Sequence, residues 1–390
     1  MDVAVIGGGI GGLAAALALA RGGHAVAVYE QAEAFAEIGA GVQLSPNAVR
    51  ALRWLGVEAA LAAHVGAPEA IDIRRWRGDA LLARSPLGES LHQRHGAPYW
   101  HVLRSDLHRI LLDAAQDAGV RVHTGKRLQG AAPVRAGVLL GFDDGETVRT
   151  DLAVGADGVR SILRRSLGRA DARFTGQAAW RGVVPVGRLP AETQGPVASV
   201  RVGPGRHFVS YPVAGGEAVN FVGVVEQAGW TAEGWSEAGD PAQLAADFQG
   251  WPAPVQAMIA ACGQPWRWAL LDGDADGLWT RDRIVLLGDA AHPVPPFLAQ
   301  GAALALEDAV VLARRLAAAP VDAALRAYVA ARRPRAARVL RASRRNAFAF
   351  HAREPLASLG QAALWAGTRA APDALGRSLD WLYGYDPAVA

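Results

Sequence analysis

Apolar and polar residues follow three different patterns along this chain of 390 residues. Up to about residue 172, short uninterrupted apolar runs alternate with segments of helix-forming composition, which predicts parallel strands connected by helices. From Phe174 to Trp268, apolar and polar residues alternate between turns that contain glycine and proline, which predicts an antiparallel sheet. At the apolar run Arg283–Leu287 the first pattern returns, and long helical segments follow it. We therefore predict one strand-and-helix domain whose sequence is interrupted by a β-rich domain.

The turn after the first predicted strand, Val3–Ile6, carries glycines at the spacing G-x-G-x-x-G, namely Gly7, Gly9 and Gly12. This spacing permits a tight turn, brings backbone N–H groups close to a pyrophosphate and lets the following helix pack on the strand. Glu30 ends the second predicted strand, where a carboxylate can accept the hydroxyls of an unphosphorylated ribose. The segment therefore predicts a dinucleotide site for FAD or NAD rather than NADP.

The predicted fold class is α/β (α+β overall), with a Rossmann-like nucleotide-binding domain interrupted by a mostly antiparallel β-sheet domain and followed by a helical region. The length suits two or three subdomains of ordinary size. The nucleotide-binding domain is assigned to residues 1–70, 101–172 and 276–330, the β-rich domain to 71–100 and 173–275, and the C-terminal helical region to 331–390.

Composition favours a soluble globular protein, with 51% hydrophobic and 20% charged residues. The uncharged run Ala4–Ala20 has about the length of a membrane or signal segment, but Asp2 precedes it where basic residues are typical. Cys262 is the single cysteine, so no internal disulfide can form and a cytoplasmic location is expected. The basic run Arg332–Arg345 is interpreted as a solvated helix face or a dimer or cofactor surface, with nucleic-acid binding as the alternative.

A second strand–turn–helix signal lies near residue 290. The predicted strand ends in Gly288-Asp289, and a carboxylate at that place can bind a polyol. After a loop stiffened by Pro293, Pro295 and Pro296, Gly301 opens a helix whose first N–H groups can contact a ligand. A helix N-terminus aimed at the pyrimidine end of a flavin would stabilise the negative charge gained on reduction. The alternative is an ordinary strand, turn and capped helix.

His207 and Tyr211 lie four residues apart on a predicted strand, so both side chains point to one face of the sheet. A histidine and a phenol on one face can bind a phenolic hydroxyl and withdraw its proton, which makes the aromatic ring a better nucleophile. His207, acting directly or through Tyr211, is therefore the predicted base. The alternative is a half-buried sheet in which the two side chains only satisfy each other.

Together, these motifs resemble those of the single-component FAD-dependent aromatic hydroxylases (group A flavoprotein monooxygenases). The resemblance covers nearly the whole chain and implies a fold like that of p-hydroxybenzoate hydroxylase. Within the family, the pattern is most similar to that of salicylate hydroxylase, 3-hydroxybenzoate 6-hydroxylase and 6-hydroxynicotinate 3-monooxygenase. The residues that carry it are Gly7–Gly12, Glu30, Arg104, Gly155–Ser161, Gly288–Pro293 and Leu298–Ala303, with Phe174–Gly182 and Asp380–Asp386 favouring this branch.

The resemblance also implies a role for each candidate site residue. For FAD it implies the glycine turn, Glu30 at the adenosine ribose, Arg104 at the pyrophosphate or ribityl chain, Gln43 at the flavin, Asp289 at the ribitol, and Gly301 and Ala302 at the isoalloxazine, with Asp157 and Arg160 supporting FAD and a transient nicotinamide cofactor. For the substrate it implies His207 and Tyr211, with Gln300 and Pro293 as further contacts.

The implied reaction consumes NADH or NADPH to reduce FAD, adds O2 at C4a of the flavin as a hydroperoxide, and transfers one oxygen atom to a small phenolic or heteroaromatic acid. The implied partners are therefore a small aromatic substrate, O2 and NAD(P)H, and the protein is expected to be a monomer or a homodimer. We expect no metal, since no metal-ligand cluster is visible, and neither nucleic acid nor membrane as a partner.

Several alternatives stay open from the sequence. The same fold could act on a larger polyketide or quinolone or as an epoxidase, or the chain could be a flavoprotein dehydrogenase that inserts no oxygen. A non-catalytic module that binds nucleic acid or a partner through Arg332–Arg345 is a third possibility. Arg181 could pair with a substrate carboxylate, but a surface or flavin-side role is equally consistent with the sequence.

Overall fold

The computed structural model describes residues 1–35, 40–230 and 236–390. Its strands are β1 (Asp2–Ile6), β2 (Ala25–Tyr29), β3 (Gly41–Leu44), β4 (Ala70–Arg75), β5 (Leu81–Pro86), β6 (Trp100–Leu103), β7 (Arg121–His123), β8 (Leu128–Val134), β9 (Gly137–Phe142), β10 (Thr147–Thr150), β11 (Leu152–Gly155), β12 (Arg173–Pro185), β13 (Val197–Gly203), β14 (Arg206–Val213), β15 (Ala218–Glu226), β16 (Ser236–Ala238), β17 (Trp266–Asp272), β18 (Thr280–Arg281) and β19 (Ile284–Leu286). Its helices are α1 (Ile10–Arg21), α2 (Pro46–Trp54), α3 (Glu58–Ala62), α4 (Gly88–His95), α5 (Arg104–Asp117), α6 (Ile162–Ser166), α7 (Pro241–Asp247), α8 (Ala253–Ala261), α9 (Gly301–Ala318), α10 (Val321–Phe350), α11 (Leu356–Ala370), α12 (Ala374–Arg377) and α13 (Asp380–Tyr383).

The first sheet has six strands in the order β18-β19-β11-β1-β2-β7, and all neighbours are parallel except β18 and β19. Its central strands are uninterrupted apolar runs, and α1, which packs against α5 and α9, is buried along most of its length. Because parallel strands end at the same edge, the residues that follow β1, β11 and β19 come together. These residues are the glycine turn at Gly7, the Ala156-Asp157 turn and the Gly288-Asp289 turn.

The second sheet has eight strands in the order β16-β17-β12-β15-β14-β13-β4-β5, supplied by residues 70–86 and 173–272. It is mostly antiparallel, as predicted, with one parallel pair between β13 and β4. One face buries an apolar core beneath α7 and α8, in which Trp180 and Phe221 are fully buried. The opposite face carries His207 and Tyr211 and closes a cavity against the first domain. Two small sheets, β10-β9-β8 and β3-β6, complete the topology of the described residues.

The predicted boundary between residues 330 and 331 falls inside α10, a continuous helix of 30 residues that contains Pro334. Tyr328 packs in the core of the first domain, whereas Val339 packs with Leu382 and Tyr383 of the C-terminal segment. The same helix therefore belongs to both regions, and the chain has no structural break at that boundary.

The uncharged run Ala4–Ala20 forms most of β1, the glycine turn and most of α1 rather than one long helix. Within the part of the chain that the structure describes, no helix combines the length and the apolar content needed to cross a bilayer.

Candidate active site

The glycine turn between β1 and α1 has the geometry that its spacing predicts. Gly7 adopts a φ of +103°, and a Cβ atom there would lie 2.4 Å from the carbonyl oxygen of Ala156. A Cβ atom on Gly12 would lie 1.9 Å from the carbonyl oxygen of Gly7, so a side chain is excluded. Gly9, in contrast, faces open space and precedes α1 without a side-chain cap. The unpaired N–H groups of the first turn of α1 are therefore available to a diphosphate.

Glu30 lies beside this turn at the end of β2. Its Oε2 accepts a hydrogen bond from the backbone N–H of Gly8 at 2.7 Å, and its Oε1 accepts one from that of Ala32 at 2.9 Å. These two bonds fix the orientation of the carboxylate, and each oxygen keeps a lone pair that a ribose hydroxyl can use.

Asp157 holds its own turn rather than lining the cavity. Its Oδ2 accepts hydrogen bonds from the backbone N–H groups of Ile162 (2.7 Å) and Leu163 (3.3 Å), at the start of α6. Its Oδ1 is buried without a partner, and burial raises the pKa of this carboxyl. Gly158 lines the cavity in its place, while Arg160 is exposed. The placement of Asp157 supports an indirect role, in which it fixes the turn that faces the cofactor.

A cavity of about 620 Å³ separates the first domain from the eight-stranded sheet. Asp289 opens into it at the end of β19; desolvation by the surrounding protein raises the pKa of its carboxyl, and the positive charge of Arg104 partly opposes that rise. Gln43 faces the cavity from β3 and accepts a 2.7 Å hydrogen bond from the hydroxyl of Tyr99, which leaves its amide N–H groups for a ligand. The predicted site residues that line the cavity are Gly9, Gln43, Arg104, Asp289, Pro293, Gly301 and Ala302, with His207 and Tyr211 on the sheet side.

The N-terminus of α9 enters the cavity through Gly301 and Ala302, whose backbone N–H groups lie in its first turn. Gln300 does not face the same way. Its buried amide donates to Ser45 Oγ at 2.9 Å and accepts from Asn47 Nδ2 at 2.9 Å. The prediction that Gln300 contacts the substrate is therefore wrong. Ser45 and Asn47 hold its side chain beneath α9, where it positions the N-terminus of that helix.

His207 and Tyr211 lie on one face of the eight-stranded sheet, as their spacing predicts. The His207 Nδ1 lies 2.8 Å from Nε2 of His351, and its ring packs against Phe297 with centroids 5.2 Å apart. The Tyr211 ring packs instead against His101, with centroids 4.5 Å apart. The two side chains thus have different partners. They therefore do not satisfy each other, and no direct hydrogen bond links His207 to Tyr211 in the part of the chain that the structure describes.

Arg181 lies on the same face, in β12, opposite Val222, which in turn pairs with Val209. This register puts Arg181 in the row between those of His207 and Tyr211. Its guanidinium carbon lies 4.8 Å from the centroid of the Trp268 ring, and its Nε is buried without a hydrogen-bond partner. Burial lowers the pKa of Arg181, and within the described ranges no carboxylate lies close enough to form an ion pair with it. The cavity therefore contains a buried cation that lacks an anion.

The comparison with known proteins agrees with this geometry. A family model described as an FAD binding domain matches residues 1–343. The chain is 42% identical over 389 residues to a 3-amino-4-hydroxybenzoate 2-monooxygenase of Streptomyces platensis, covering 99% of this chain and 96% of the relative. It is also 38% identical over 394 residues to a 6-hydroxynicotinate 3-monooxygenase of Bordetella bronchiseptica, covering 98% and 95%. The chain belongs to the FAD-dependent aromatic hydroxylases. The hydroxylase also has the fold of Klebsiella pneumoniae HpxO complexed with FAD and uric acid, with a TM-score of 0.83, 31% identity and coverage of 95% and 94%.

The hydroxylase is thus an aromatic-ring monooxygenase whose cofactor is FAD. Its residues fit this cofactor, because the start of α1, Asp289 and the first residues of α9 all line the same cavity. A dehydrogenase without oxygen insertion and a non-catalytic binding module are both excluded by the family assignment.

Replacing Gly9 with alanine should leave the fold of the hydroxylase intact and weaken FAD binding by about tenfold, which is about 1.4 kcal/mol. A Cβ atom at Gly9 meets no protein atom within 4 Å and points into the space that we assign to the diphosphate. Titration of the apoprotein with FAD, followed by flavin fluorescence, measures the change. Gly195→Ala is the matched control, since Gly195 also has open space around it but lies in an exposed loop. Equal FAD affinity of the Gly9→Ala and control variants would contradict this assignment.

Proposed function

We propose that the hydroxylase acts on a single-ring aromatic carboxylic acid that carries a ring hydroxyl group, with NAD(P)H and O2 as co-substrates. The observation that carries this proposal is the buried guanidinium of Arg181, which lacks an acidic partner on the same sheet face as His207. The substrate would meet Arg181 through its carboxylate and His207 through its hydroxyl.

A buried cation without a counter-ion is costly, because desolvation of the charge is not offset by a nearby opposite charge. A carboxylate that enters the cavity supplies that charge and can form two parallel hydrogen bonds with a guanidinium. Trp268 holds the guanidinium by stacking, so the group is oriented before the ligand arrives. An anionic substrate is therefore favoured over a neutral one at Arg181.

The relatives support the same substrate class. The names of the Streptomyces and Bordetella enzymes give 3-amino-4-hydroxybenzoate and 6-hydroxynicotinate as substrates, and each is one ring with a carboxylate and a hydroxyl group. The apolar side chains of Val209, Val222 and Pro296 line the cavity and suit the faces of such a ring.

In the proposed reaction, bound FAD, reduced by NAD(P)H, supplies an activated oxygen atom derived from O2. The protein orients the ring and excludes water. His207 accepts the proton of the ring hydroxyl at Nε2, since Nδ1 is occupied by His351, and the resulting phenolate ring is the stronger nucleophile. Tyr211 lies on the same sheet face as Arg181, in the next row of the register, so its hydroxyl would lie near the carboxylate end of the substrate.

Replacing Arg181 with methionine should weaken binding of 3-amino-4-hydroxybenzoate by about 30-fold, the loss of about 2 kcal/mol from a charged hydrogen-bonded pair. Binding of 2-aminophenol, which lacks the carboxylate, should change little. Flavin absorbance changes report binding, while NADH oxidation and product mass report hydroxylation. Arg188→Met, in an exposed turn, is the control for loss of a positive charge.

Two results would overturn this proposal. One is equal discrimination between the acid and 2-aminophenol by the wild type and Arg181→Met. The other is an Arg181→Met enzyme that binds the acid normally but has an altered flavin reduction potential, which would assign the guanidinium to the flavin instead.

A further inference from the structure

A chain of polar side chains leads from the cavity to the protein surface. His207 Nδ1 lies 2.8 Å from His351 Nε2, and His351 Nδ1 lies 3.6 Å from Glu226 Oε1 and 3.2 Å from the amide of Gln177. His207 lines the active-site cavity, whereas the Glu226 side chain is 39% exposed. Glu226 and Gln177 also line a separate surface pocket of about 440 Å³, so the chain of contacts ends in solvent.

We propose that His351 and Glu226 form a relay that carries the proton of the substrate hydroxyl from His207 to solvent. The inference rests on the proposed function, because it needs a substrate that gives up a proton at His207. It extends that function to two residues that do not contact the substrate and to an exit at the end of β15, on the same face of the eight-stranded sheet as His207.

Each transfer in the relay forms one bond to hydrogen and breaks another. The substrate O–H proton moves to Nε2 of His207, and the Nδ1 proton of His207 moves to Nε2 of His351. The Nδ1 proton of His351 moves to Oε1 of Glu226 when the exposed carboxylate closes the 3.6 Å separation to hydrogen-bond distance. The substrate becomes a phenolate, the Glu226 carboxylate becomes a carboxylic acid, and both imidazoles stay neutral with exchanged tautomers. Glu226 then releases its proton to water, and the reverse sequence restores the tautomers when a proton returns to the substrate oxygen.

The surroundings of the two histidines explain why a relay is needed. His207 is buried among Phe297, Phe350 and His351, and desolvation lowers its pKa well below the ordinary value. Desolvation also lowers the pKa of His351 to about 4, although Glu226 opposes that shift. A proton that stayed on His207 would create a buried imidazolium, which is unfavourable. A transfer through neutral tautomers leaves no positive charge in the interior.

The outer end of the chain is arranged for proton release. Arg353 Nη2 donates a 2.6 Å hydrogen bond to Oε2 of Glu226, so Oε1 is the oxygen that faces His351. The terminal amide of Gln177 can rotate to accept from or donate to Nδ1 of His351, so it can follow either tautomer. Arg353 and Glu226 are the charged groups that the structure places beside His351 in this region.

The relay can be tested with 4-hydroxy-3-nitrobenzoate, whose phenolate is coloured, bound to the FAD-containing enzyme. After a pH jump, absorbance reports how fast the bound probe ionises. His351→Gln should slow ionisation by about tenfold or more while leaving probe affinity within about twofold, because Arg181 still binds the carboxylate. Glu226→Gln should slow it by a smaller factor, since water in the surface pocket can replace the carboxylate. His92→Gln, an exposed histidine on α4, should match the wild type.

A purely structural role of His351 would change FAD content or probe affinity rather than the ionisation rate alone. His351→Ala supplemented with imidazole is the second measurement, and recovery of the rate with added imidazole is expected only if His351 transfers protons. If His207→Gln slows ionisation and neither His351→Gln nor Glu226→Gln does, the relay is overturned and the proposed function stands. If the probe does not bind, or if His207→Gln has no effect on its ionisation, both are overturned.

Discussion

Replacing Arg332 with methionine should lower the free energy of unfolding by about 3 kcal/mol, because two buried carboxylates lose a shared cation and keep only Arg335 and His292 as partners. Arg332 is fully buried in α10 and lies 2.7 Å from Glu307 and 2.6 Å from Asp308 of α9. Burial alone would raise the pKa of both carboxyl groups, but the neighbouring cations lower it overall, so both are ionised in the native protein.

Urea unfolding in the presence of excess FAD, followed by far-ultraviolet circular dichroism, measures this loss. Arg333→Met is the matched control one residue further along the same helix, where the side chain is exposed, and it should change the unfolding free energy by less than about 0.5 kcal/mol. The stabilisation from Glu307 and Asp308 is present above their ordinary pKa values and is lost as the pH falls through their lowered native values. The difference in the free energy of unfolding between the wild type and Arg332→Met should therefore become smaller at acidic pH. A difference below about 1 kcal/mol at neutral pH would contradict the prediction.

Replacing His207 with glutamine should lower the turnover of a phenolic acid substrate by about 100-fold at neutral pH, since a positioned base is lost. Burial lowers the pKa of His207, so the wild-type enzyme keeps a neutral imidazole across the usual assay range and loses activity only as the pH falls through that lowered value. The acidic limb of the wild-type pH profile should accordingly lie below pH 6.5, the ordinary pKa of histidine.

A comparison of substrates sharpens the test of His207. A nitro group makes the ring hydroxyl more acidic, so 4-hydroxy-3-nitrobenzoate depends less on a base at neutral pH. The loss of turnover in His207→Gln should therefore be smaller for this compound than for 3-amino-4-hydroxybenzoate, measured as hydroxylated product per unit of NADH. Unchanged turnover with an unchanged pH profile would remove His207 from the role of base.

The cofactor side of the site could be predicted from the sequence because its signals are local. Gly7, Gly9, Gly12 and Glu30 belong to one strand–turn–helix–strand unit, and their geometry follows from the spacing within about thirty residues. Asp289 with the start of α9 forms a second unit of the same kind. Because the strands are parallel, both units lie at the same edge of the sheet, and this can be predicted without knowing any contact between distant side chains.

The remaining features depend on contacts between distant parts of the chain. His351 reaches His207 across 144 positions, and Gln300 is turned away from the cavity by Ser45 and Asn47, which come from another element. The basic run Arg332–Arg345 predicts a solvated helix face or a dimer or cofactor surface. The solvated face is wrong for Arg332 and Arg335, whose buried partners on α9 cannot be identified from the run itself. A charged residue is expected to be exposed only if the fold offers it no buried partner of opposite charge.

The continuity of α10 has a consequence for building chimaeras from related hydroxylases. A junction at residue 331 would divide α10, so that its first ten residues and the part that carries Arg332 would come from different parents. A junction between α9 and α10 would preserve both helices but still combine Glu307 of one parent with Arg332 of the other. Because α10 ends next to His351, a chimaera that takes α10 from one parent also takes His351 from it. If the parents differ at Arg332 and His351, the chimaera therefore changes both the stability of the core and the proposed proton relay. The C-terminal part of the chain is therefore best transferred as one block with α9.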